Sequence, residues 1–167
     1  DAETSAAIKA AARAQRVNLS IMFLAVYKVL LYRYSGQEDI IVGMPTMGRP
    51  KMDFQRVLGC FVNMMVMRGQ LSGSQIFIDF LKTLQLNMMD GLDHAVYPFS
   101  DLVRQLKVSR DQAVSPIFQT YYAYQNYVPA GAREENPEAL SIEPLKEVRQ
   151  EGDKDLGLEV YEGAEDF

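Results

Sequence analysis

The chain has 167 residues, 48% hydrophobic and 23% charged, with nine Met, one His, one Cys and no Trp. At this size one globular domain buries roughly 70% of its unfolded surface, so its core needs no disulfide or metal staple. One Cys excludes an internal disulfide framework, and one His excludes a His-rich metal site. The net charge of −5 is uneven: residues 1–132 sum to +3 and residues 133–167 to −8. That pattern offers no continuous positive stripe to nucleic acid and repels anionic lipid. The longest apolar stretch, Leu19 to Leu31, is broken by Ser20 and Lys28 and is too short to span a hydrocarbon layer of roughly 30 Å. Nucleic acid and membrane are therefore set aside as partners. Ala2 to Arg16 holds no apolar signal core, and a chain that opens on Asp1 reads as a piece of a longer protein.

Glu3 to Arg16 is Ala-rich, with Arg13 and Arg16 near its end, and reads as a helix. Asn18 precedes a second helix, where its side-chain oxygen can accept a first-turn N–H. Leu19, Met22, Phe23, Val26, Leu30 and Tyr34 recur at helical spacing until Ser35-Gly36 supplies a stop. Asp39 to Met44, with Ile40, Ile41 and Val42, predicts an interior strand ended by Gly43 and Pro45. A Gly48-Arg49-Pro50 loop and a short helix at Asp53 to Val57 lead to a second strand over Phe61 to Arg68, closed by turn signals at Gly69 and Ser72-Gly73.

Ile76, Phe80, Leu84 and Met88 predict a third helix over about Gln75 to Asp90, and Tyr97-Pro98 separates it from a short helix at Phe99 to Leu106. Ile117 to Tyr127, rich in β-branched and aromatic residues, predicts a strand. Its alternation puts Gln119, Tyr121, Ala123 and Gln125 on one face and Thr120, Tyr122, Tyr124 and Asn126 on the other. Pro129 to Pro137 reads as a mobile polar loop, and Leu140 to Ile142 and Leu156 to Tyr161 as further strands. Helices interleaved with strands predict one α/β domain over residues 1–167, a layered mixed β-sheet flanked by helices.

Few residues carry obvious chemistry. His94 reads as an imidazole at a helix C-terminus, favoured there by the helix dipole. Cys60, between Gly59 and an apolar strand with no cation near it, reads as a buried, inert thiol. Neither a G-x-S-x-G elbow nor a Gly-rich phosphate loop is present. The Met cluster of Met64, Met65, Met67, Met88 and Met89 suits an adaptable core or a pocket for varied apolar groups. Arg49 is either a solvated loop residue or a fixed guanidinium that pairs a carboxylate from elsewhere. Asn63, inside an apolar strand, is either a core-positioning amide or a ligand-facing group.

Taken in order, four motifs resemble the C-terminal lobe of the condensation domains of nonribosomal peptide synthetases. Ser35-Gly36-Gln37-Glu38-Asp39-Ile40-Ile41-Val42-Gly43-Met44-Pro45 is similar to the family's "SGQDDIVVGTP", with Gly48-Arg49 matching its "GR". Gly59-Cys60-Phe61-Val62-Asn63 through Arg68 resembles "GxFVNT…xR", and His94 with Tyr97-Pro98-Phe99 resembles "HQDxPFE", although Ala95, Val96 and Ser100 replace Gln, Asp and Glu. Arg110-Asp111 through Pro116-Ile117-Phe118-Gln119 resembles "RDxSxxPLFQ".

The resemblance implies a half-domain like chloramphenicol acetyltransferase and a cytoplasmic location. In the family, phosphopantetheine arms of donor and acceptor carrier proteins enter a tunnel between two lobes, and an aminoacyl amine attacks a thioester there. It implies no directly bound cofactor and no metal. The partners would be the N-terminal lobe and the two carrier proteins, with self-association an expectation for the isolated lobe. The family's HHxxxDG motif is absent from these residues, so no catalytic residue is assigned. Arg49, Asn63 and Gln119 are the tunnel or cross-lobe candidates. Gly43, Pro45, Gly59, Phe61, Arg68, Pro98, Phe99, Arg110, Asp111 and Pro116 are expected to shape the motifs. The alternative is a non-catalytic binding module derived from such a domain.

Overall fold

A computed structural model describes the chain except for residues 50, 108–114, 126–153 and 164–166. Helices α1 (Ala2–Gln15) and α2 (Leu19–Ser35) meet at 103°. Strand β1 (Asp39–Thr46) follows, then a 3-10 turn at Met52–Arg56 and strand β2 (Asn63–Gln70). Helices α3 (Phe77–Asp93) and α4 (Phe99–Leu106) lead to β3 (Thr120–Gln125) and β4 (Leu156–Tyr161). The sheet order is β2-β1-β3-β4, with β1 antiparallel to β2 and β3 parallel to both β1 and β4. This is the expected mixed sheet flanked by helices, with β1 interior. No single described helix is long and apolar enough to cross a membrane. The 129–137 loop, the Leu140 to Ile142 strand, Asn126, Arg110 and Asp111 lie outside the described residues.

Local chemistry sets the helix ends. The Asn18 side chain accepts the Ile21 N–H at 2.8 Å, and Gly36 closes α2 at φ 69°. One face of the sheet then buries Ile40, Val42, Met65 and Met67 against α2 and α3, whose Leu24, Leu81 and Leu84 are at most 1% exposed. Burial of each such side chain stabilises the fold by about 2 kcal/mol. Two tyrosines tie α2 to the far strands: Tyr122 donates to the Ser20 carbonyl at 2.8 Å and Tyr27 to the Leu156 carbonyl at 3.3 Å.

The strand expected from Ile117 begins only at Thr120, which leaves Gln119 outside it, and three further expectations are corrected. β1 does not end at Met44 but continues through Pro45 to Thr46. It can do so because β1 and β3 pair at a single position, Gly43↔Tyr121, so the missing N–H of Pro45 costs no ladder bond on that side. β2 begins at Asn63 rather than Phe61. Residues 58–62 therefore form a loop, and Cys60 is exposed rather than buried.

On the opposite face the Phe118 ring lies where a Cβ on Gly43 would fall, 2.2 Å from its nearest atom, and packs on Phe99 with 5.4 Å between centroids. That close approach accounts for the motif glycine at Gly43 and the motif aromatic at Phe99. Phe118 reaches this position through a turn in which its N–H bonds the Pro116 carbonyl at 2.9 Å, with Ile117 at φ 72°. Positive φ is costly for a β-branched residue, so here packing overrides local preference.

Candidate functional site

The C-terminal ends of the parallel strands β1 and β3 meet the N-terminus of β2, the start of α2 and the end of α3. Ligand sites in open α/β sheets form beyond the carboxyl ends of strands. Because β1 and β3 stop pairing after Gly43↔Tyr121, a cleft of about 460 Å³ opens between Met44–Met47 and Tyr122–Gln125. Pro45, which has no N–H to close the ladder, sits at that parting.

Asn63 opens β2 and makes three bonds to backbone. Its Nδ2 donates to the carbonyls of Ala95 (2.8 Å) and Tyr97 (2.7 Å), and its Oδ1 accepts the Phe99 N–H at 3.0 Å. Pro98, at the head of α4, has no polar side chain with which to cap it, so Asn63 supplies the cap from a different element. Of its two readings, the positioning amide is the one the geometry supports. We expect Asn63→Leu to lower stability by about 2 kcal/mol, because two carbonyls and one N–H lose their partner. For a chain of this length that is a fall of about 4–8 °C in melting temperature. An unchanged melting curve would refute the role.

Arg49 follows Gly48, whose φ of 62° and lack of a Cβ let the Phe61 carbonyl approach; a Cβ would lie 1.7 Å from that oxygen. The guanidinium donates to the carbonyls of Phe54, Val57 (2.9 Å) and Gly59 (3.1 Å), and lies 4.2 Å over the Phe61 ring. Phe61 in turn packs on Phe54 at 6.0 Å. Arg49 thus braces the β1–β2 loop, and Gly59 and Phe61 are explained as its seat. These bonds use three of its five N–H groups and leave Nε–H and one on Nη2. No described residue pairs it with a carboxylate. The loop exposes Leu58 almost wholly, and Met47, Met52 and Val62 largely.

Gln119 is not brought to this place. It lies at the N-terminal approach to β3, lining a smaller cleft of about 170 Å³ with Asp39, Ile41 and Ser35, and its amide donates to the Ser115 carbonyl at 3.1 Å. The eight residues of β1 separate the two ends by roughly 20 Å. Near the Gln119 end, Arg68 makes a bidentate pair with Asp39 (2.8–3.2 Å), and this pairing holds the Asp39 carboxyl below its usual range.

His94 is exposed at the end of α3, with Nδ1 against the Asp90 carbonyl at 2.9 Å. That carbonyl, and then the Asp90 carboxylate, hold the imidazole above its usual pKa, as expected for a helix C-terminus. Among the described residues no group of three or more His, Cys, Asp or Glu is placed to hold a metal.

Sequence reasoning missed Lys28. It is 0% exposed beneath the sheet and donates to the carbonyls of Ile40 (2.9 Å) and Met67 (2.7 Å). Its sequence signal was a lone cation inside the apolar stretch Leu19 to Leu31.

The family model described as "Condensation domain" matches residues 1–167. Among curated proteins, polyketide synthase PksN of Bacillus subtilis (strain 168) is 48% identical over 158 residues, 93% of this chain and 3% of that protein. Tyrocidine synthase 3 of Brevibacillus parabrevis is 38% identical over 147 residues, 86% of this chain and 2% of that protein. The chain thus spans only a few hundredths of the length of these relatives. Among solved structures, a four-domain nonribosomal peptide synthetase bound to AMP and glycine superposes at a TM-score of 0.74, with 22% identity, over 76% of this chain and 10% of that one. The condensation domain from a monacolin K polyketide synthase gives a TM-score of 0.70 and 23% identity over 75% of this chain and 30% of that one. At these identities the structures establish the fold.

Proposed function

The chain belongs to the condensation-domain family, and from that premise we propose that it is the C-terminal lobe of a peptide synthetase condensation domain. In this reading it forms one wall of a tunnel in which an acceptor amine attacks a donor thioester. Both substrates are carried on the phosphopantetheine arms of carrier proteins, and the facing wall is an N-terminal lobe bearing the HHxxxDG motif. The observation that carries the reading is the make-up of the strand-end site. It holds a cleft, a braced arginine with two N–H groups that no described residue engages, and a positioning amide, while no described Cys, His, Asp, Glu or Lys lines the cleft. Such a wall binds and orients, while proton transfer falls to the other lobe. Holding two thioesters in line supplies much of the rate, and donors aimed at the developing oxyanion supply more.

Gln119, at the far end of β1, is proposed to line the opposite entrance of the same tunnel. The test loads donor and acceptor carriers and follows amide product by mass spectrometry. The intact synthetase should make the amide, the 167-residue chain alone should make none above a carrier-only control, and Gln119→Leu should slow the intact protein without altering its melting temperature. Product from the chain alone that is lost in His94→Ala would overturn the assignment. Absence of product from the intact protein would favour a binding module. A Gln119→Leu variant with altered stability but full turnover per folded molecule would place that residue in the core.

A further inference from the structure

We propose that the cleft between β1 and β3 binds the acyl chain of the donor thioester, and that it accepts an uncharged, apolar chain while excluding one that carries an ammonium or a carboxylate. This rests on the amide-forming reading above and narrows it to a substrate class. None of the thirteen described residues that line the cleft is an acid, a lysine, an arginine or a histidine. Its floor is Met44, Met88 and Tyr122, each 8% exposed or less, and its rim includes Met47, Val62 and Leu92, each more than half exposed. Unbranched thioether side chains re-pack around different shapes, which suits a chain of variable outline. At about 460 Å³ the space falls within the range of small-molecule sites.

The rest of the lining is neutral and polar. Thr46 already donates to the Asn63 carbonyl, and Asn18 and Gln125 offer amides that can meet a keto or hydroxyl group. Charge stands beside the cleft rather than in its lining: Arg49 braces the neighbouring loop, and Lys9, Arg13 and Glu162 line the adjoining groove beyond the shared Asn18, Ser20 and Tyr124. The occupant is the donor rather than the acceptor for a chemical reason. The acceptor must present its amine as the free base beside a group that can take up its proton, and no described acid, lysine or histidine lines the cleft. The donor needs only an acyl carbon. In the step itself the amine nitrogen bonds to that carbon, the carbon–sulfur bond breaks, and the sulfur leaves as a thiol with the proton the amine gives up.

The test uses the synthetase that carries this chain, its donor carrier loaded in turn with butanoyl, hexanoyl, adipoyl and 6-aminohexanoyl groups against one acceptor, with single-turnover rates of amide formation. Transfer of each methylene from water to an apolar site should raise the rate about fourfold, and so about fifteenfold from butanoyl to hexanoyl. A terminal charge stripped of water without a partner should make the adipoyl and 6-aminohexanoyl donors at least about a hundredfold slower than hexanoyl. Leu92→Lys, on the half-exposed rim, should shift the adipoyl-to-hexanoyl ratio at least about tenfold toward adipoyl. Gln125→Lys provides a second placement of the same charge. Equal rates for charged and uncharged chains, or a ratio that neither lysine moves, would overturn the inference while leaving the amide-forming reading intact. No product with any chain would overturn both.

Discussion

Between about pH 7 and 9.5 the chain is expected to gain stability with a slope approaching about 1.4 kcal/mol per pH unit, and Lys28→Met is expected to lose most of that slope. Lys28 is fully enclosed by α2, β1 and β2, and burial pulls its pKa from 10.5 down to about 7 against the opposing field of Asp39. In the unfolded chain the same amine stays protonated until well above pH 9. Across the window the unfolded state therefore binds more protons, so rising pH favours the fold.

The hydrogen bonds agree with that sign. A neutral amine has two N–H donors, and the two carbonyls of Ile40 and Met67 use both. Tyr121 and Tyr122, pushed up to about 12, act in the opposite sense only above pH 10, where an unfolded tyrosine ionises. Urea unfolding at half-unit pH steps gives the slope, and the Cε resonance of labelled lysine reads Lys28 directly. Titration of that resonance above pH 9.5, or an identical slope in Lys28→Met, would refute the account.

Arg49→Ala in the intact synthetase is expected to reduce condensation at least about a hundredfold and to lower the melting temperature with it. Two contributions combine. The first belongs to this chain: three carbonyls of the β1–β2 loop lose their shared donor and Phe61 loses its cover. The second belongs to a cross-lobe pair, implied by the family resemblance, between the two N–H groups that no described residue engages and the Asp of the HHxxxDG motif. Removing one partner of a buried ion pair costs about 3–5 kcal/mol.

The contributions separate experimentally. In the 167-residue chain Arg49→Ala should show only the loop effect. Arg49→Lys, which keeps the charge without the planar fork, should recover little of either. A double-mutant cycle with the motif Asp should give a coupling above about 1 kcal/mol. Wild-type activity of Arg49→Ala, or additive losses in the cycle, would rule out the pair.

How much of this was legible beforehand follows from the range of the interactions involved. The order of helices and strands, the Asn18 cap, the Gly36 stop and the family motifs depend on periodicity and on neighbours within a few residues, so they can be read along the chain. Interactions between distant segments decided the rest. Gly43 and Pro45 read locally as the end of β1, yet the strand continues: the Phe118 ring, from 75 residues away, needs the space above Gly43, and the partner strand has already ceased pairing at Pro45. Asn63 was recognisable as a polar group that needed partners. That those partners are the Ala95 and Tyr97 carbonyls and the head of α4 depends on how α3 turns back across the end of β2.

The same distinction separates the three site candidates. Arg49 and Asn63 share one end of the sheet because β1 and β2 are antiparallel neighbours with Thr46 opposite Asn63. Gln119 stands at the other end because β3 runs parallel to β1 and enters beside Asp39. Strand direction is absent from the alternation of side chains, which is alike for parallel and antiparallel strands. The burial of Lys28 was hidden for a related reason. A lysine on a helix ordinarily faces water, and only the packing of α2 across β1 and β2 supplies two carbonyls that make its enclosure tolerable.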